Sequence, residues 1–278
     1  GSLKDVPVTT LGTTVIAEAI NRAGITPDKV QHVVMGNVIP NEPKDAYLAR
    51  VCAVQAGVPV EAAAMTLNRL CGSGAQAIVS AAQMVALGGC DVAVGAGAES
   101  MSRAPYWMTG ARWGTKMGDT QMIDAMLTAL HDPFENIHMG ITAENVAKRY
   151  QITRQTQDEL AVTSHQRAAT AIAEGRFKEQ IVPIEIKTRK GVVVFDTDEH
   201  VRAEANVEDM GKLRPAFDKE GTVTAGNASG LNDGAAAVVL ASQKAVDEQG
   251  LKPVAKILGW GHAGVEPNVM GLGPVKAV

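Results

Sequence analysis

The chain has 278 residues, 46% of them hydrophobic and 20% charged, a composition that is typical of a globular protein with a substantial core and excludes a disordered chain. A formal net charge of −4 and only 4% aromatic residues argue against a nucleic-acid partner. Three cysteines are too few for a disulfide framework and no apolar run approaches the roughly 20 residues of a membrane span, so we expect a cytoplasmic protein with no membrane partner.

The first part of the chain alternates between patterns that are typical of helices and of strands. The helical patterns repeat apolar residues at helical spacing, and the strand patterns are short runs rich in Val, Ile and Ala. Strands that alternate with helices of this length form parallel sheets with helices packed on them. The helices are predicted over residues 8–24, 46–57 and 73–89, and the strands over residues 30–39, 63–68 and 90–98.

The alternation stops at Glu99. Residues 99–137 contain Met, Trp, Pro and Gly without a sustained period, and loops of this length are usually functional or belong to an oligomer contact. The order of the elements that follow predicts one α/β layer that is interrupted by an inserted subdomain. Those elements are helices over residues 139–150 and 154–174, a strand pair over 182–188 and 191–197, a strand over 235–242, a helix ending at Gly250 and a strand over 254–265.

Cys71 follows the second predicted strand and precedes the third predicted helix. The thiolate is the attacking form of a cysteine, and the unpaired N–H groups at a helix start would stabilise it. Gly72 and Gly74 would allow a tight turn and the close approach of a substrate. The alternative for Cys71 is a small buried residue at a crowded junction. Cys52 and Cys90 lie in apolar segments, where we expect them to be packing residues.

The segments LNRLCGSGAQAI and GGCDVAVGAGAESMSRAPY resemble the nucleophile region of the thiolases, the acetyl-CoA C-acetyltransferase family. The resemblance continues in order through HMGITAENVAKRY, KLRPAFDKEGTVTAGNASGLNDGAAAVVL and the closing GLGP. The related β-ketoacyl synthases typically have their cysteine in a different, serine-rich context. The resemblance implies an α/β fold of the thiolase-type layered kind, with Cys71 as the catalytic nucleophile that accepts the acyl group.

The resemblance also implies a domain organisation. Residues 1–100 and 232–250 would form the N-terminal thiolase domain, residues 101–231 an inserted loop domain, and residues 251–278 the start of a truncated C-terminal domain. The family's NEAF, GHP and CGGG segments do not occur, and the chain begins after the family's first strand, which we expect in the centre of the sheet. We therefore expect these 278 residues alone to be inactive and poorly stable.

The implied activity is acyl transfer through an acyl-cysteine intermediate, either thiolytic cleavage of a 3-ketoacyl-CoA or the reverse Claisen condensation of two acetyl-CoA molecules. Coenzyme A thioesters are then substrates, and no cofactor is expected. Two alternatives stay open. One is a longer-chain 3-ketoacyl-CoA thiolase of fatty-acid β-oxidation, and the other is a thiolase-like protein that binds acyl-CoA or lipid without catalysis.

The resemblance assigns CoA contacts to several further residues. His138 and Met139 would lie against the acyl and pantetheine end, and Ser229 would hydrogen-bond the pantetheine arm. Arg202 would contact the phosphate-bearing end, where cations are expected. From the residues alone, NIHMG is a helix-entry turn with a packing methionine and NASG is a plain turn. The apolar neighbours of the arm would be Phe217, Ala225 and Leu231, whose types are equally compatible with core packing.

Two other motifs do not support a cofactor or a metal. GAGAES at residues 95–100 lacks the third glycine of a dinucleotide-binding loop, and Pro105 interrupts the helix that should follow it. His131 and His138 with the nearby acids have no recognisable metal spacing, so we expect neither NAD nor a catalytic metal. Residues 105–124 resemble the loop through which tetrameric thiolases assemble, which implies a homodimer or a homotetramer.

Overall fold

The computed structural model describes all 278 residues and divides them into two compact units. The bounds of these units differ from those of the three expected domains, since residues 101–129 belong to the first unit and residues 260–278 to the second. The three-domain organisation therefore stays a prediction. The first unit comprises Gly1–Ala129 and Asn232–Gly259, and the second comprises Leu130–Leu231 and Trp260–Val278.

The predicted helices, and all predicted strands except the one over residues 254–265, occur in the predicted order along the chain. Gly250 ends the helix that the sequence predicts to stop there, and it has the left-handed conformation, with φ of 63°, a geometry that glycine adopts without strain. The helices are α1 Val8–Arg22, α2 Leu48–Gln55, α3 Ser73–Ala86, α4 Ala125–Ala129, α5 Met139–Tyr150, α6 Arg154–Ala173, α7 Val207–Gly211, α8 Gln243–Gln249 and α9 Gly273–Ala277. The strands are β1 His32–Gly36, β2 Ala63–Leu67, β3 Val92–Ser100, β4 Tyr106–Trp107, β5 Ile123–Asp124, β6 Ile184–Thr188, β7 Gly191–Phe195 and β8 Asp233–Ala241.

Four strands form the sheet of the first unit, in the order β2-β1-β3-β8. Strand β1 is parallel to both β2 and β3, as the alternation of helices and strands predicts. Strand β8 is antiparallel to β3, with Ala96 opposite Ala237, so the sheet is mixed, and the sequence pattern predicts no direction for this strand. It enters the sheet after the long excursion rather than after a single crossover helix, which is the connection that makes neighbouring strands parallel.

Two expectations about strands were wrong. Strands β1 and β3 are directly hydrogen-bonded neighbours, with Gly36 opposite Gly97, so the sheet has no central place for a further strand. Residues 254–265 form neither strand nor helix. Their apolar side chains are exposed, Val254 by 102% and Leu258 by 92%, and without a neighbouring strand an apolar run has no backbone partners to pair with.

The two faces of the sheet carry different helices. Helices α1 and α2 cover one face, where Ile16, Met35 and Val94 are fully buried in the larger apolar core. Helix α3 covers the other face, where Ala77 and Ala81 pack against a smaller group of apolar residues. Full burial of a side chain such as Ile or Met contributes about 2–3 kcal/mol, so the first face supplies most of the apolar stabilisation of this unit.

Helix α3 lies unusually close to the sheet because glycines face it. A Cβ atom added to Gly36 would lie 2.7 Å from the backbone carbonyl carbon of Ser73 and 2.8 Å from its oxygen. A Cβ atom on Gly95 would lie 2.9 Å from the Cα atom of Ile78. Because no side chain separates the two backbones, the first turn of α3 is held directly against the carboxyl end of β1.

The second unit is held together largely by polar side chains. At the start of α6, Nε of Arg154 pairs with the buried carboxylate of Asp158 at 2.7 Å. Nη2 of Arg154 donates to the carbonyl of Met210 in α7. Asn145 in α5 donates to the carbonyl of Asn268 at 2.9 Å. Strands β6 and β7 pair only with each other, in a hairpin whose register places Thr188 opposite Gly191. No helix in either unit combines the length and the hydropathy that crossing a bilayer would require.

Replacing Gly36 with alanine is expected to lower the free energy of unfolding by about 2–3 kcal/mol, because the methyl group would meet backbone atoms of Ser73 that cannot turn away. Gly234→Ala in β8 is the matched control, since no atom lies within 4 Å of its added Cβ. Urea unfolding followed by far-UV circular dichroism measures both. Equal stability of the two variants would contradict the close contact between α3 and β1.

Candidate active site

Cys71 lies in the turn that connects β2 to α3. The strand ends at Leu67 and the helix begins at Ser73, so the strand, turn and helix have the order expected from the sequence. The side chain of Cys71 is exposed. This placement excludes the alternative of a small buried residue at a crowded junction, and it leaves the thiol accessible beside the N-terminus of an α-helix.

The turn around Cys71 is closed by hydrogen bonds on both sides of the thiol. The hydroxyl of Ser73 accepts from the backbone N–H of Arg69 at 2.9 Å and donates to the carbonyl of Leu70 at 2.6 Å. The N–H groups of Gly72 and Ser73 donate to the carbonyls of Arg69 and Leu70 at 3.1 and 2.9 Å. Because these bonds span the position of Cys71, its backbone has little freedom to move relative to α3.

Leu70, immediately before the thiol, has a φ of +46°, in the left-handed region that non-glycine residues rarely adopt. Such a conformation costs on the order of 1 kcal/mol or more and persists only where neighbouring groups impose it. The side chain of Asn68 supplies one such contact, because its Oδ1 accepts from the N–H of Leu70 at 2.8 Å. Its Nδ2 donates to the carbonyl of Val38 at 3.1 Å.

Glu99 at the end of β3 fixes the segment that Asn68 contacts. Its carboxylate accepts from the N–H groups of Val38 and Ile39 at 2.8 and 3.1 Å, and from the side-chain amide of Asn37 at 3.2 Å. Burial raises the pKa of Glu99, while these donors oppose the rise. The GAGAES residues thus lie within a strand and not in a phosphate-binding loop, and the acid at their end has backbone partners.

Sequence reasoning missed Asn68, Ser73 and Glu99 as contributors to this turn. Asn68 had a local signal, since asparagine side chains commonly accept from the N–H two residues later, as here from Leu70. Glu99 had none, because its contacts join positions about sixty residues apart in the chain.

The two other thiols are enclosed. Cys52 in α2 is 0% exposed and Cys90 before β3 is 6% exposed. Burial raises the pKa of Cys52 to about 11, and burial also raises the pKa of Cys90. Both positions agree with the packing role expected from the sequence, since a buried thiol in apolar surroundings is a poor nucleophile.

His138, in the second unit, caps the N-terminus of α5. Its Nδ1 accepts from the N–H of Gly140 at 2.9 Å, so in the neutral ring the proton is on Nε2. Burial lowers the pKa of His138, and the nearby charge of His131 lowers it further. The neutral ring is therefore favoured, and Nε2 is the nitrogen that can donate to another group.

Two aromatic rings restrict the His138 ring. Phe217 stacks on it with a centroid distance of 4.6 Å and an interplanar angle of 21°, and His131 meets it edge-on at 5.1 Å. A Cβ atom on Gly140 would overlap the Phe217 ring, so glycine at this position allows the stack. Phe217 thus contacts another predicted site residue, a relation that the sequence did not indicate.

The loop that carries Ala225, Ser229 and Leu231 is anchored by polar groups on α5 and α6. The carboxylate of Glu144 accepts from the N–H groups of Thr222 and Val223 at 2.8 and 2.7 Å. Asn227 donates to Asp158 at 2.9 Å and accepts from the N–H of Thr224 at 2.7 Å. The three predicted residues are exposed, Leu231 by 50%.

The remaining predicted residues lie in different parts of the second unit. Met139 is the first residue of α5, half-buried, with its N–H donating to the carbonyl of Leu130 at 2.8 Å. Arg202 is exposed, and its N–H donates to Nδ1 of His165 at 3.2 Å. No group of three or more His, Cys, Asp or Glu side chains in the chain is arranged to hold a metal ion.

Iodoacetamide at pH 8 is expected to alkylate Cys71 in the native protein and to leave Cys52 and Cys90 unmodified. With a pKa of about 11, Cys52 is a thiolate in roughly one molecule in a thousand at this pH, and it is also inaccessible. Intact mass and peptide mapping count the adducts, with Cys71→Ser as the control that should gain none. Alkylation of either buried thiol at the rate of Cys71 would contradict the structure.

His138→Ala is expected to lower the free energy of unfolding by about 1–2 kcal/mol, because it removes the cap of α5 and the stack on Phe217. His138→Asn is the matched control, since asparagine caps helices well but cannot stack, and should recover about half of the loss. Urea unfolding measures both variants. A loss as large in His138→Asn as in His138→Ala would show that capping does not contribute.

Comparison with known proteins gives matches along the whole chain. Residues 1–244 match the family model of the thiolase N-terminal domain. The beta-ketothiolase BktB of Cupriavidus necator is 62% identical over 278 residues, covering 100% of this chain and 71% of that protein. An acetyl-CoA acetyltransferase of the same organism is 49% identical over 279 residues, with the same two coverages.

Solved structures give the same result. The acetyl-CoA acetyltransferase of Bacillus anthracis has a TM-score of 0.95 at 46% identity, covering 100% of this chain and 70% of that one. Human mitochondrial 3-ketoacyl-CoA thiolase in complex with CoA has a TM-score of 0.94 at 40% identity, covering 99% of this chain and 69% of that one. The chain therefore has the thiolase fold and belongs to the thiolase family.

Proposed function

We propose that this protein is an acyltransferase that cleaves a 3-ketoacyl-CoA with CoA, or condenses two acetyl-CoA molecules, through an acyl group on Cys71. The observation that carries the proposal is an exposed thiol at the start of α3 in a chain that belongs to the thiolase family. Relatives at 62% and 49% identity bear the names beta-ketothiolase and acetyl-CoA acetyltransferase. The role of Cys71 as nucleophile is part of the proposal.

In the first half-reaction of condensation the Cys71 thiolate attacks the thioester carbonyl of the acyl-CoA. The carbon–sulfur bond to CoA breaks, the CoA thiolate leaves and takes up a proton, and the acyl group stays on the cysteine sulfur. The turn supports this step by holding the thiol beside the N-terminus of α3, where backbone dipoles favour negative charge. No cofactor takes part, because the thioester itself supplies the activated acyl group.

In the second half-reaction an α-carbanion of another acyl-CoA attacks the acylated cysteine and releases the thiolate. This step needs a base for the α-proton and donors for a second oxyanion. The NEAF, GHP and CGGG segments that the thiolase resemblance associates with these roles do not occur in the 278 residues, which span 71% of the length of the two Cupriavidus necator relatives. Acylation of Cys71 is therefore the step that we assign to residues of this chain.

We assign the recognition of CoA to the second unit. The fixed Nε2–H of His138 suits a carbonyl acceptor, and the exposed Ser229 hydroxyl suits an amide of a pantetheine arm. Arg202 supplies a cation for phosphate. A relative of known structure, human mitochondrial 3-ketoacyl-CoA thiolase, has been solved with CoA. The apolar contacts with the arm are assigned to Met139, Phe217, Ala225 and Leu231.

We further propose a homodimer or homotetramer in the cytoplasm. Exposed aromatic side chains in residues 105–124 favour an oligomer contact, with Tyr106 exposed by 58%, Trp107 by 45% and Trp113 by 88%. Strand β2 lies at the edge of the sheet and offers an unpaired backbone edge. A reducing compartment suits a protein whose three cysteines are all free thiols.

Thiolysis by the full-length gene product, measured with 3-ketoacyl-CoA substrates of increasing chain length, tests the proposed activity. Acetoacetyl-CoA is expected to give the highest kcat/KM, and Cys71→Ser is expected to lower kcat by at least about a thousandfold. Cys90→Ala controls for the loss of a thiol that packs and does not react. A preference for longer substrates would identify the longer-chain thiolase. CoA binding without thiolysis in the folded wild type would overturn the proposal in favour of a non-catalytic binder.

A further inference from the structure

We infer that Asn68 is a positioning residue for Cys71, which it holds through the left-handed Leu70 and through the Glu99-anchored carbonyl of Val38. The inference rests on the proposed function of Cys71 and adds a residue to it that acts without touching the substrate. Asn68, Leu70 and Glu99 are absent from the set of site residues expected from the sequence.

The two ends of the Asn68 amide have separate partners. Oδ1 accepts from the N–H of Leu70 at 2.8 Å, and Nδ2 donates to the carbonyl of Val38 at 3.1 Å. The two bonds need an acceptor and a donor that point in different directions, and the asparagine amide carries them on two separate atoms. Aspartate would keep the bond to Leu70 and lose the bond to Val38.

The bond to Leu70 matters because that residue is in a conformation it does not prefer. With φ at +46° it lies in the region that asparagine and glycine visit readily and leucine rarely does. The Leu70 side chain is 55% exposed, so burial of that side chain contributes little to holding this conformation. Without the acceptor at Asn68, the backbone of Leu70 is expected to relax toward negative φ, which would redirect the peptide that leads into Cys71.

The bond to Val38 matters because the Val38 segment is itself fixed. Glu99 accepts from the N–H groups of Val38 and Ile39. These bonds immobilise the backbone that carries the Val38 carbonyl, the acceptor of the hydrogen bond from Asn68 Nδ2. Asn68 therefore connects the thiol-bearing turn to the ends of β1 and β3. On the other side, Ser73 connects the same turn to α3. The turn is held from both directions, which suits a nucleophile that must meet its substrate within a fraction of an ångström.

The decisive experiment is a double-mutant cycle between Asn68→Ala and Leu70→Gly in the full-length protein. Asn68→Ala is expected to lower kcat for acetoacetyl-CoA thiolysis by at least about tenfold with little change in KM, since the thiol is displaced while CoA binding is untouched. Glycine adopts positive φ without strain, so adding Asn68→Ala to Leu70→Gly should lower kcat by less than about threefold. Asn21→Ala on α1 is the control for removal of an exposed asparagine.

Equal losses from Asn68→Ala with and without Leu70→Gly would overturn the inference, because they would show that Asn68 does not act through Leu70. If Asn68→Ala fails to fold, Asn68→Asp decides the Val38 contact: kcat should fall by about threefold or more, and a wild-type value would overturn that part. A second measurement separates this inference from the proposed function. Cys71 in Asn68→Ala should react with iodoacetamide at least about threefold more slowly than in the wild type, whether or not the protein performs thiolysis.

Discussion

Helix α3 packs directly on strands β1 and β3 because glycines stand where its backbone comes closest, and this contact determines the geometry around Cys71. With Gly36 against Ser73 and Gly95 against Ile78, the start of α3 has one position relative to the sheet. The chain leaving β2 must then reach that position within a few residues. A tight turn with a left-handed Leu70 is the result, and the thiol that follows is presented to solvent at the helix N-terminus.

Hydrogen bonds from backbone N–H groups to polar side chains stabilise the loops, whereas burial of apolar side chains stabilises the sheet. Glu99 binds the N–H groups after β1, Glu144 binds those of Thr222 and Val223, and His138 binds that of Gly140. Each acceptor satisfies backbone donors that would otherwise lack partners in a partly buried loop. Since the anchoring groups are buried or half-buried, residues of the same loops that are assigned to CoA, such as Ser229, remain exposed.

The local parts of this structure could be predicted from the sequence, and the parts set by distant contacts could not. The pattern of MGITAENVAKRY predicts α5 at its observed bounds, because an amphipathic helix is specified by neighbours three and four residues apart. The glycines around Cys71 indicate the turn for the same reason. The direction of β8, the adjacency of β1 and β3, and the contact of Glu99 with Val38 depend on residues far apart in the chain, and no local pattern encodes them. The strand predicted over residues 254–265 does not form for the same reason, because an apolar run becomes a strand only where another strand pairs with it.

The central claim is that an exposed, rigidly held Cys71 takes an acyl group from an acyl-CoA. The most direct measurement is the mass of the full-length protein after brief incubation with acetyl-CoA and acid quenching, followed by peptide mapping of the adduct. We predict the gain of one acetyl group, about 42 Da, on the peptide that contains Cys71, and no gain in Cys71→Ser. A folded wild-type protein that binds CoA but acquires no adduct, or that carries the acetyl group on Cys52 or Cys90, would contradict the account.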